Sequence, residues 1–366
     1  MRGRQPPVDF GILVPVLLLL AIGLVMVLSA SAPEALVTYG DAYYFFKRQL
    51  VWALLGGAGM AVAARIDYPR WRRWAAPLMS ATLLALVLVL VPGVGIESHG
   101  ARRWLGFSSL SLQPSEMAKM TAVVFFAHLL ARTPRGAKDV VRGLLPVVAG
   151  VAVLGALIMM EPDLGTAVTI AGTAFALLVV AGIYASHALA AGVAAVPLLA
   201  YLIFGEGYRR QRFLAFLDPQ ADPLGAGYHI TQGLYALGEG SLFGSGLGNG
   251  LQKYFYVPER HTDFIFTILA DELGFVGSLA VILLFAVLAW RGFRVALHAP
   301  DRFGALLAAG VTAAILVQAV VNIGVVGSVL PITGIPLPFV SFGGSSLVFS
   351  LSSVGILLNV SRYARL

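Results

Sequence analysis

The chain has 366 residues, of which 58% are hydrophobic and only 12% are charged, and its mean hydropathy is +0.86. Soluble domains contain about 25% charged residues, so the composition excludes a soluble enzyme or binding module and predicts an integral membrane protein. The absence of cysteine excludes disulfides and thiolate chemistry, and the net charge of +7 is typical of cytoplasmic loop arginines rather than of nucleic-acid binding.

Apolar segments of spanning length follow one another along the whole chain, and the first comes after Arg2 and Arg4. This segment is too long for the hydrophobic region of a signal peptide, so it predicts a helix that stays in the membrane. We expect an all-α polytopic membrane protein with about ten transmembrane helices in a single domain, residues 1–366. The predicted spans are 10–31, 49–65, 74–92, 115–132, 142–160, 165–183, 187–204, 268–290, 304–327 and 343–361.

Basic residues predict the orientation of these helices. With the N-terminus in the cytoplasm, the short segments RIDYPRWRR, RTPRGAKDVVR, RGFRVALHAPDR and SRYARL lie inside, where Lys and Arg are favoured. An even number of helices then places both termini in the cytoplasm.

The connection 205–262, after the seventh predicted span, is much longer than the others. Its glycines, aromatic residues and low mixed charge are not typical of a disordered tail, so we expect a folded extracytoplasmic loop of short helices and turns. GSGLGNG in this loop resembles a phosphate-binding glycine run, but no strand precedes it, and tight turns explain its glycines better.

Ionisable residues near the ends of apolar segments indicate a functional site, because charge at membrane depth is costly. Glu116 and Lys119 are three residues apart at the start of the fourth span and share a helix face. They either neutralise each other or act with Arg102 and Arg103, in the preceding outer loop, on an anion. Asp163 either caps the sixth helix or contacts a ligand.

The segment PERHTDF, just before the eighth span, has the densest group of ionisable residues. Asp263 begins an apolar stretch, where desolvation would raise its pKa toward the range of a general base. Arg260 and His261 would lower that pKa. Glu259, His261 and Asp263 alternate, but a metal site needs more convergent ligands.

Two further outer segments contribute polar groups. GYRRQRF places three arginines, including Arg212, at the membrane surface, where they either extend toward lipid headgroups or bind phosphate. The uncharged segment TGIPLPFVSFGGSSL offers the hydroxyls of Ser345 and Ser346. Cations and carboxylates at headgroup depth suit an amphiphile with an anionic head and a lipid tail.

Several segments, in order, match one known family: GARRW…LQPSEMAK, EPDLGTA, DPLGAGYHITQ, GLGNGLQK, PERHTDFIF…DELG and GIPLPFVSFGGSS. Over almost its whole length the chain resembles the SEDS family of bacterial cell-wall proteins, named for shape, elongation, division and sporulation. The resemblance implies ten membrane helices, with a large outer loop between helices seven and eight. It implies a peptidoglycan glycosyltransferase that polymerises lipid II at the outer face of the bacterial cytoplasmic membrane.

The resemblance also implies a class B penicillin-binding protein as partner, within a divisome or elongasome. It implies a divalent cation, Mg²⁺ or Mn²⁺, and no organic cofactor, although no ligand set for the cation is visible. Within the family, GLVMVLSAS, YYFFKRQ and GLGNGLQKYFYVPE resemble the division member FtsW and the sporulation member SpoVE. PERHTDF and the short C-terminus after Tyr363 resemble the elongation member RodA. We expect an FtsW-like protein, with RodA as the alternative.

Asp263 matches the essential aspartate of the family and is the implied general base. The implied substrate-binding residues lie on the matching motifs: Arg102, Arg103, Gln113, Glu116, Lys119, Asp163, Arg212, Glu259, His261, Ser345 and Ser346. In the implied reaction, a sugar 4-hydroxyl of one lipid II attacks the anomeric carbon of the growing chain, and undecaprenyl pyrophosphate leaves. The base accepts the hydroxyl proton, while cationic residues stabilise the pyrophosphate.

Two other functions compete with polymerisation. A lipid II flippase would also contain buried charges, but it usually has midplane sites and repeat symmetry, and the sequence shows neither. A non-catalytic scaffold of the cell-wall synthesis complex would not require Asp263, Lys119 and Glu116.

Overall fold

A computed structural model describes residues 8–98, 101–107, 110–223, 225, 227–254 and 257–364, so Arg2 and Arg4 lie outside the described residues. The helices are α1 Phe10–Tyr39, α2 Tyr44–Arg65, α3 Tyr68–Leu90, α4 Pro114–Arg132, α5 Leu145–Met160, α6 Leu164–Val180, α7 Ala185–Phe204, α8 Gly207–Leu217, α9 Tyr228–Glu239, α10 Ile265–His298, α11 Arg302–Val326 and α12 Gly344–Ser361. The strands are β1 Ile96–Ser98, β2 Ala101–Phe107 and β3 Leu110–Leu112, and a 3₁₀ turn and a π-helical turn precede α5.

Every predicted span coincides with a helix, which confirms the all-α polytopic architecture: α1 to α7 are the first seven spans, and α10 to α12 are the last three. Within the described ranges, seven helices are long and apolar enough to cross a membrane, namely α1, α3, α5 with its π-helical turn, α7, α10, α11 and α12. α6 is apolar but shorter, and α2 and α4, the other two predicted spans, contain charged residues.

The connections between the helices fall at two ends of the bundle. At one end, Arg291 Nε donates to the carboxylate of Asp9 at 3.0 Å, and the hydroxyl of Tyr363 donates to Asp67 Oδ1 at 2.8 Å. The opposite end, which we call the polar end, has the connections 91–113, 161–163, 205–264 and 327–343. Most of the predicted site residues lie in or beside these four connections.

The connection from α3 to α4 forms a three-stranded antiparallel sheet in the order β1-β2-β3, which the sequence analysis did not predict. Such short strands escape an analysis of long apolar segments. The pairing opposes Glu97 to Arg102, and their side chains form an ion pair of 3.4 Å. The sheet thus holds Arg102 and its neighbour Arg103 at the polar end.

The long loop is folded, as predicted, with α8 and α9 followed by turns that pack on a break in α10. The break is at Gly274, where φ is 68° and ψ is −165°. A Cβ at Gly274 would collide with the backbone of Leu242 and Gly244, so this close approach requires glycine. The loop also satisfies backbone groups that the break leaves unpaired: Gly246 N donates to Glu272 O at 3.0 Å, and Val276 N donates to Leu242 O at 3.1 Å.

Packing varies strongly among the helices. α12 packs against α2 so closely that a Cβ on Gly355 would meet the backbone of Met60, which is the small-residue packing favoured in membranes. α7 has no buried residue, and its main packing partner is α8. The buried core of the described residues therefore draws on α1 to α6 and α9 to α12, but not on α7.

Candidate active site

Asp263 lies in the turn just before α10, and its side chain is half-buried. Among the described residues, no hydrogen bond or ion pair to its carboxylate is seen. Burial raises the pKa of Asp263 to about 7, and the charge of Glu259 raises it further, while Arg212 and Arg103 oppose the shift. The predicted direction is confirmed. The expectation that Arg260 and His261 oppose it is wrong, because both residues are directed toward α1.

The α1 residue that they contact is Glu34, on a turn beyond the predicted end of the first span. Arg260 Nη2 donates to Glu34 Oε2 at 2.9 Å, and His261 Nδ1 lies 3.6 Å from the same oxygen. Burial lowers the pKa of His261, so this imidazole is neutral at pH 7 and its ring packs on Phe45. Arg260 and His261 thereby attach the segment before Asp263 to the end of α1.

Glu116 and Lys119 form a buried ion pair near the start of α4, with 2.7 Å between Lys119 Nζ and Glu116 Oε2. Lys119 Nζ also donates to Gln318 Oε1 on α11 at 2.6 Å. The amide nitrogen of Gln318 donates to Pro336 O at 2.8 Å and lies 3.4 Å from the hydroxyl of Ser346. The pair therefore does more than neutralise itself, because it connects α4 to α11 and to the start of α12.

A cavity of about 30 Å³ lies beside this pair, between α4, α11 and α12. Its walls include Glu116, Lys119, Gln318 and Ser353. The volume suits about one water molecule and is far smaller than a sugar-binding pocket. A ligand larger than a water molecule therefore does not fit in this cavity.

Gln113, Asp163 and Ser345 meet between the sheet and the starts of α6 and α12. Gln113 N donates to Ser345 Oγ at 3.0 Å, and its side-chain nitrogen lies 3.5 Å from Asp163 Oδ2. Asp163 accepts from Thr166 N at 2.9 Å and from the Thr166 hydroxyl at 2.8 Å. The prediction that Asp163 caps α6 is thus confirmed, and its carboxylate also lies beside Gln113, the residue that precedes α4.

Arg103 bonds to the turn between α5 and α6, where Nε donates to Glu161 O and Nη2 donates to Pro162 O, both at 2.8 Å. The Glu161 side chain in this turn is fully buried, and neither carboxyl oxygen has a hydrogen-bond partner among the described residues. Burial, followed by the charge of Asp163, raises the pKa of Glu161 to about 8, while Arg103 opposes the rise. This shift favours the protonated form of Glu161 at pH 7.

The remaining predicted residues lie at the rim of this site. Arg102 is partly exposed beside Glu97. Glu259 is exposed, and its carboxylate accepts from the Thr262 hydroxyl within its own turn at 2.8 Å. Arg212, on α8, stacks over the ring of Tyr208 at 4.3 Å. The structure thus gathers the predicted residues at the polar end, but in two groups, one around Lys119 and one around Asp263.

Sequence reasoning missed two amides on α11, Gln318 and Asn322. Gln318 contacts Lys119, whereas Asn322 Nδ2 donates to Asp263 O at 2.8 Å. They are four residues apart in the apolar run AAILVQAVVNIGVV, so they share a helix face. Polar residues at membrane depth are a recognised signal of function, and this spacing was the available clue.

Similarity to known proteins identifies the family of this chain. A sequence profile of the cell cycle protein family FtsW/RodA/SpoVE matches residues 11–366. The chain belongs to this family.

The relatives extend over the whole length of this family member. Stage V sporulation protein E of Bacillus subtilis is 44% identical over 365 residues, covering 100% of both chains. A probable peptidoglycan glycosyltransferase FtsW of Trichlorobacter lovleyi is 43% identical and covers 99% of this chain and 95% of the relative. One solved structure concerns the structural coordination of polymerization and crosslinking by a peptidoglycan synthase complex. A chain of that structure is 31% identical to this one, with a TM-score of 0.80 and 98% coverage of both chains.

Proposed function

We propose that this family member is a peptidoglycan glycosyltransferase that polymerises lipid II into glycan strands at the outer face of the bacterial cytoplasmic membrane. The observation that supports this most directly is Asp263, a half-buried carboxylate without a hydrogen-bond partner among the described residues, at the polar end of a membrane-spanning bundle. Its pKa of about 7 suits a base at neutral pH. The FtsW and SpoVE relatives favour a role in division or sporulation, and elongation is the alternative.

In the proposed reaction, Asp263 accepts the proton of the sugar 4-hydroxyl as its oxygen bonds to the anomeric carbon of the growing chain. The bond from that carbon to the pyrophosphate oxygen breaks, and undecaprenyl pyrophosphate leaves with the bonding electrons. Arg212 and Arg103 are the cations whose charges act on Asp263, Lys119 belongs to the other group, and Arg102 lies at the rim. Fixed cations of this kind stabilise the negative charge that develops on a leaving group.

A divalent cation is part of the proposal only through the family resemblance. Within the described ranges, no three Asp, Glu or His side chains converge closely enough to hold a metal ion. The residues therefore do not fit a metal site built by the protein alone, and no step above depends on a metal. Mg²⁺ or Mn²⁺ would instead accompany the pyrophosphate, held mainly by phosphate oxygens and water.

The test uses purified protein and fluorescent lipid II in detergent, with products separated on a gel. Glycan chains longer than the substrate support a polymerase. The same protein in liposomes, with lipid II in one leaflet, tests the flippase alternative. Transport without chain growth would contradict the proposal and favour a flippase, and neither activity would favour a scaffold.

Orientation is tested with single cysteines, because the native chain has none. We expect a cysteine at the exposed position Gln220 to react with an impermeant maleimide on intact spheroplasts. A cysteine at Arg135, exposed at the opposite end, should react only after permeabilisation. Ala137 is buried and unsuitable as a reporter. The reverse pattern would contradict the proposed orientation, because it would place the site in the cytoplasm and both termini outside.

The partner in this proposal is a class B penicillin-binding protein, supported by the relative described in a peptidoglycan synthase complex. The loop before Asp263 contains several glycines with positive φ, at Gly244, Gly246 and Gly248. Glycine makes loop ordering entropically costly, so a partner that binds the ordered loop would increase the active population. We expect polymerase activity to rise when the partner is co-purified, even without its transpeptidase serine. Equal rates with and without it would contradict activation but not the catalytic role.

A further inference from the structure

In the part of the chain that the structure describes, the carboxylate of Asp263 has no hydrogen-bond partner, but its backbone is held by several bonds. Asn322 Nδ2, on α11, donates both to Asp263 O at 2.8 Å and to Ile335 O at 2.7 Å. Asn322 is buried. One amide group therefore joins the residue carrying the base to the connection between α11 and α12.

The two preceding carbonyls are held by that same connection. Thr262 O accepts from the hydroxyl of Ser341 at 2.6 Å, and His261 O accepts from Phe342 N at 2.9 Å. The Ser341 hydroxyl in turn accepts from Leu337 N at 2.8 Å. Three consecutive carbonyls, those of residues 261 to 263, are thus each bonded to α11 or to the connection that follows it. We call this arrangement the carbonyl clamp.

Gln49, on α2, stabilises the carbonyl clamp by bonding to the connection between α11 and α12. Gln49 is almost fully buried, and its Nε2 donates to Ser341 O at 3.0 Å. Its Oε1 accepts from Gly343 N at 3.3 Å. The connection that holds residues 261 to 263 is therefore itself fixed to α2.

We propose that Asn322 and Ser341 are positioning residues, which place Asp263 for the reaction by fixing the backbone on which its side chain is mounted. This inference rests on the proposed role of Asp263 as the base. A base that bonded to protein donors would be positioned by its own carboxylate, but such bonds would stabilise its charge and weaken it. Holding the backbone instead leaves both carboxylate oxygens available. Loss of geometry of about 1 Å can reduce a rate by about 100-fold.

The main experiment compares Asn322→Ala with Asn359→Ala. Asn359 is also a buried asparagine that makes two bonds: its Nδ2 donates to Ala64 O at 2.9 Å, and its Oδ1 accepts from Tyr68 N at 2.7 Å. It lies at the opposite end of the bundle. Both variants lose a similar set of hydrogen bonds, so they should lose similar stability, but only one loses the clamp.

We expect Asn322→Ala to lower kcat for lipid II polymerisation by about 10-fold or more, with KM changed by less than about 3-fold. Asn359→Ala should retain the kcat of the native protein per folded molecule. Equal kcat values for the two variants, at matched folded fraction, would overturn the proposal. A rise in KM with unchanged kcat would also overturn it, because that result indicates lost substrate binding.

A double variant separates this inference from the proposed function. If Asn322 acts through Asp263, then Asn322→Ala should not lower the residual rate of Asp263→Asn any further. An active Asp263→Asn protein would contradict the base assignment itself. An inactive Asp263→Asn protein together with a fully active Asn322→Ala protein would contradict only the clamp.

Ser341→Ala provides a second route if Asn322→Ala does not fold. Its control is Ser361→Ala, which removes a buried hydroxyl that bonds to Leu358 O at 2.9 Å at the far end of α12. We expect kcat to fall by about 3-fold or more for Ser341→Ala, with KM unchanged, and no fall in kcat for the control. Unchanged kcat for Ser341→Ala would overturn the clamp.

Discussion

Asp263 and Glu272 lie before and within the first segment of α10, and their carboxylates have opposite surroundings. Glu272 is fully buried, and its carboxylate accepts from the Ser29 hydroxyl, which lies 2.6 Å from Oε1 and 2.8 Å from Oε2 and shares its one proton between them. The carboxylate also accepts from Lys253 Nζ at 2.8 Å and from Gly248 N at 3.0 Å. The carboxylate of Asp263 has no such bond among the described residues, and the protein holds its backbone instead.

The difference separates a structural carboxylate from a reactive one. Glu272 uses its charge to attach the glycine-rich loop to α1 and α10, so its oxygens are fully occupied. Asp263 keeps its oxygens available, and burial without compensation raises its pKa to about 7. Charge alone therefore does not identify the site. The distinguishing property is an ionisable group whose position is fixed but whose hydrogen-bonding capacity is unused.

The sharpest test of this comparison is Asp263→Asn, which retains the size of the side chain and removes the base. We expect polymerisation to fall by about 100- to 10,000-fold, with normal insertion and folding. The measurement is the yield of glycan chains from purified variant on a gel. Chain synthesis at the native rate would remove Asp263 from the mechanism.

Glu272→Gln should show the opposite behaviour. It leaves Lys253 buried without its counter-charge, which costs about 3 kcal/mol of unfolding free energy. The activity per folded molecule should change little in comparison. Thermal unfolding in detergent measures the loss, and the double variant Glu272→Gln, Lys253→Met should recover a large part of it. Unchanged stability of the single variant would show that the pair does not hold the loop.

The pair of Lys119 and Glu116 is a buried ion pair, as Glu272 and Lys253 are, but it lies in the candidate site, as Asp263 does. Lys119→Met tests which of these roles it has. The change retains the aliphatic stem and removes the charge and the bond to Gln318. We expect turnover to fall by about 10-fold, with folding retained. If Lys119 serves only to neutralise Glu116, then the double variant with Glu116→Gln should regain activity. Recovery in the double variant would assign the pair to the structural class, beside Glu272 and Lys253.

The smallest effects concern pH. With the pKa of Asp263 near 7, the fraction of active carboxylate rises by about 10-fold between pH 6 and pH 8, and the rate should follow. Since the folded pKa lies above the ordinary value of 3.8, the native state binds the proton more tightly, so stability falls as pH rises from about 4 through 7. Asp263→Asn removes this penalty and should raise Tm at pH 8 by about 2 °C. A lower Tm at pH 8 would contradict the sign of this shift.

The sequence by itself determined the positions of the long helices, the folded loop and the motifs that identify the family. These are local properties, because crossing a bilayer requires a continuous run of apolar residues. The cap at Asp163 was also predictable, since it depends on a residue three positions away. The direction of the Asp263 pKa shift was predictable because the residue borders an apolar segment, but the charges of Arg212 and Arg103 that act on it come from distant parts of the chain.

Tertiary structure alone decided which of these polar groups meet. Arg260 was expected to act on Asp263 but pairs with Glu34 on α1, and Arg103 bonds the turn at Glu161. Asn322 reaches Asp263 from a helix that follows it in the chain. Such contacts join segments far apart in sequence, and their partners depend on how the helices pack. The clamp on Asp263 exists because α11 and its following connection lie against the turn before α10, and no local pattern specifies that contact.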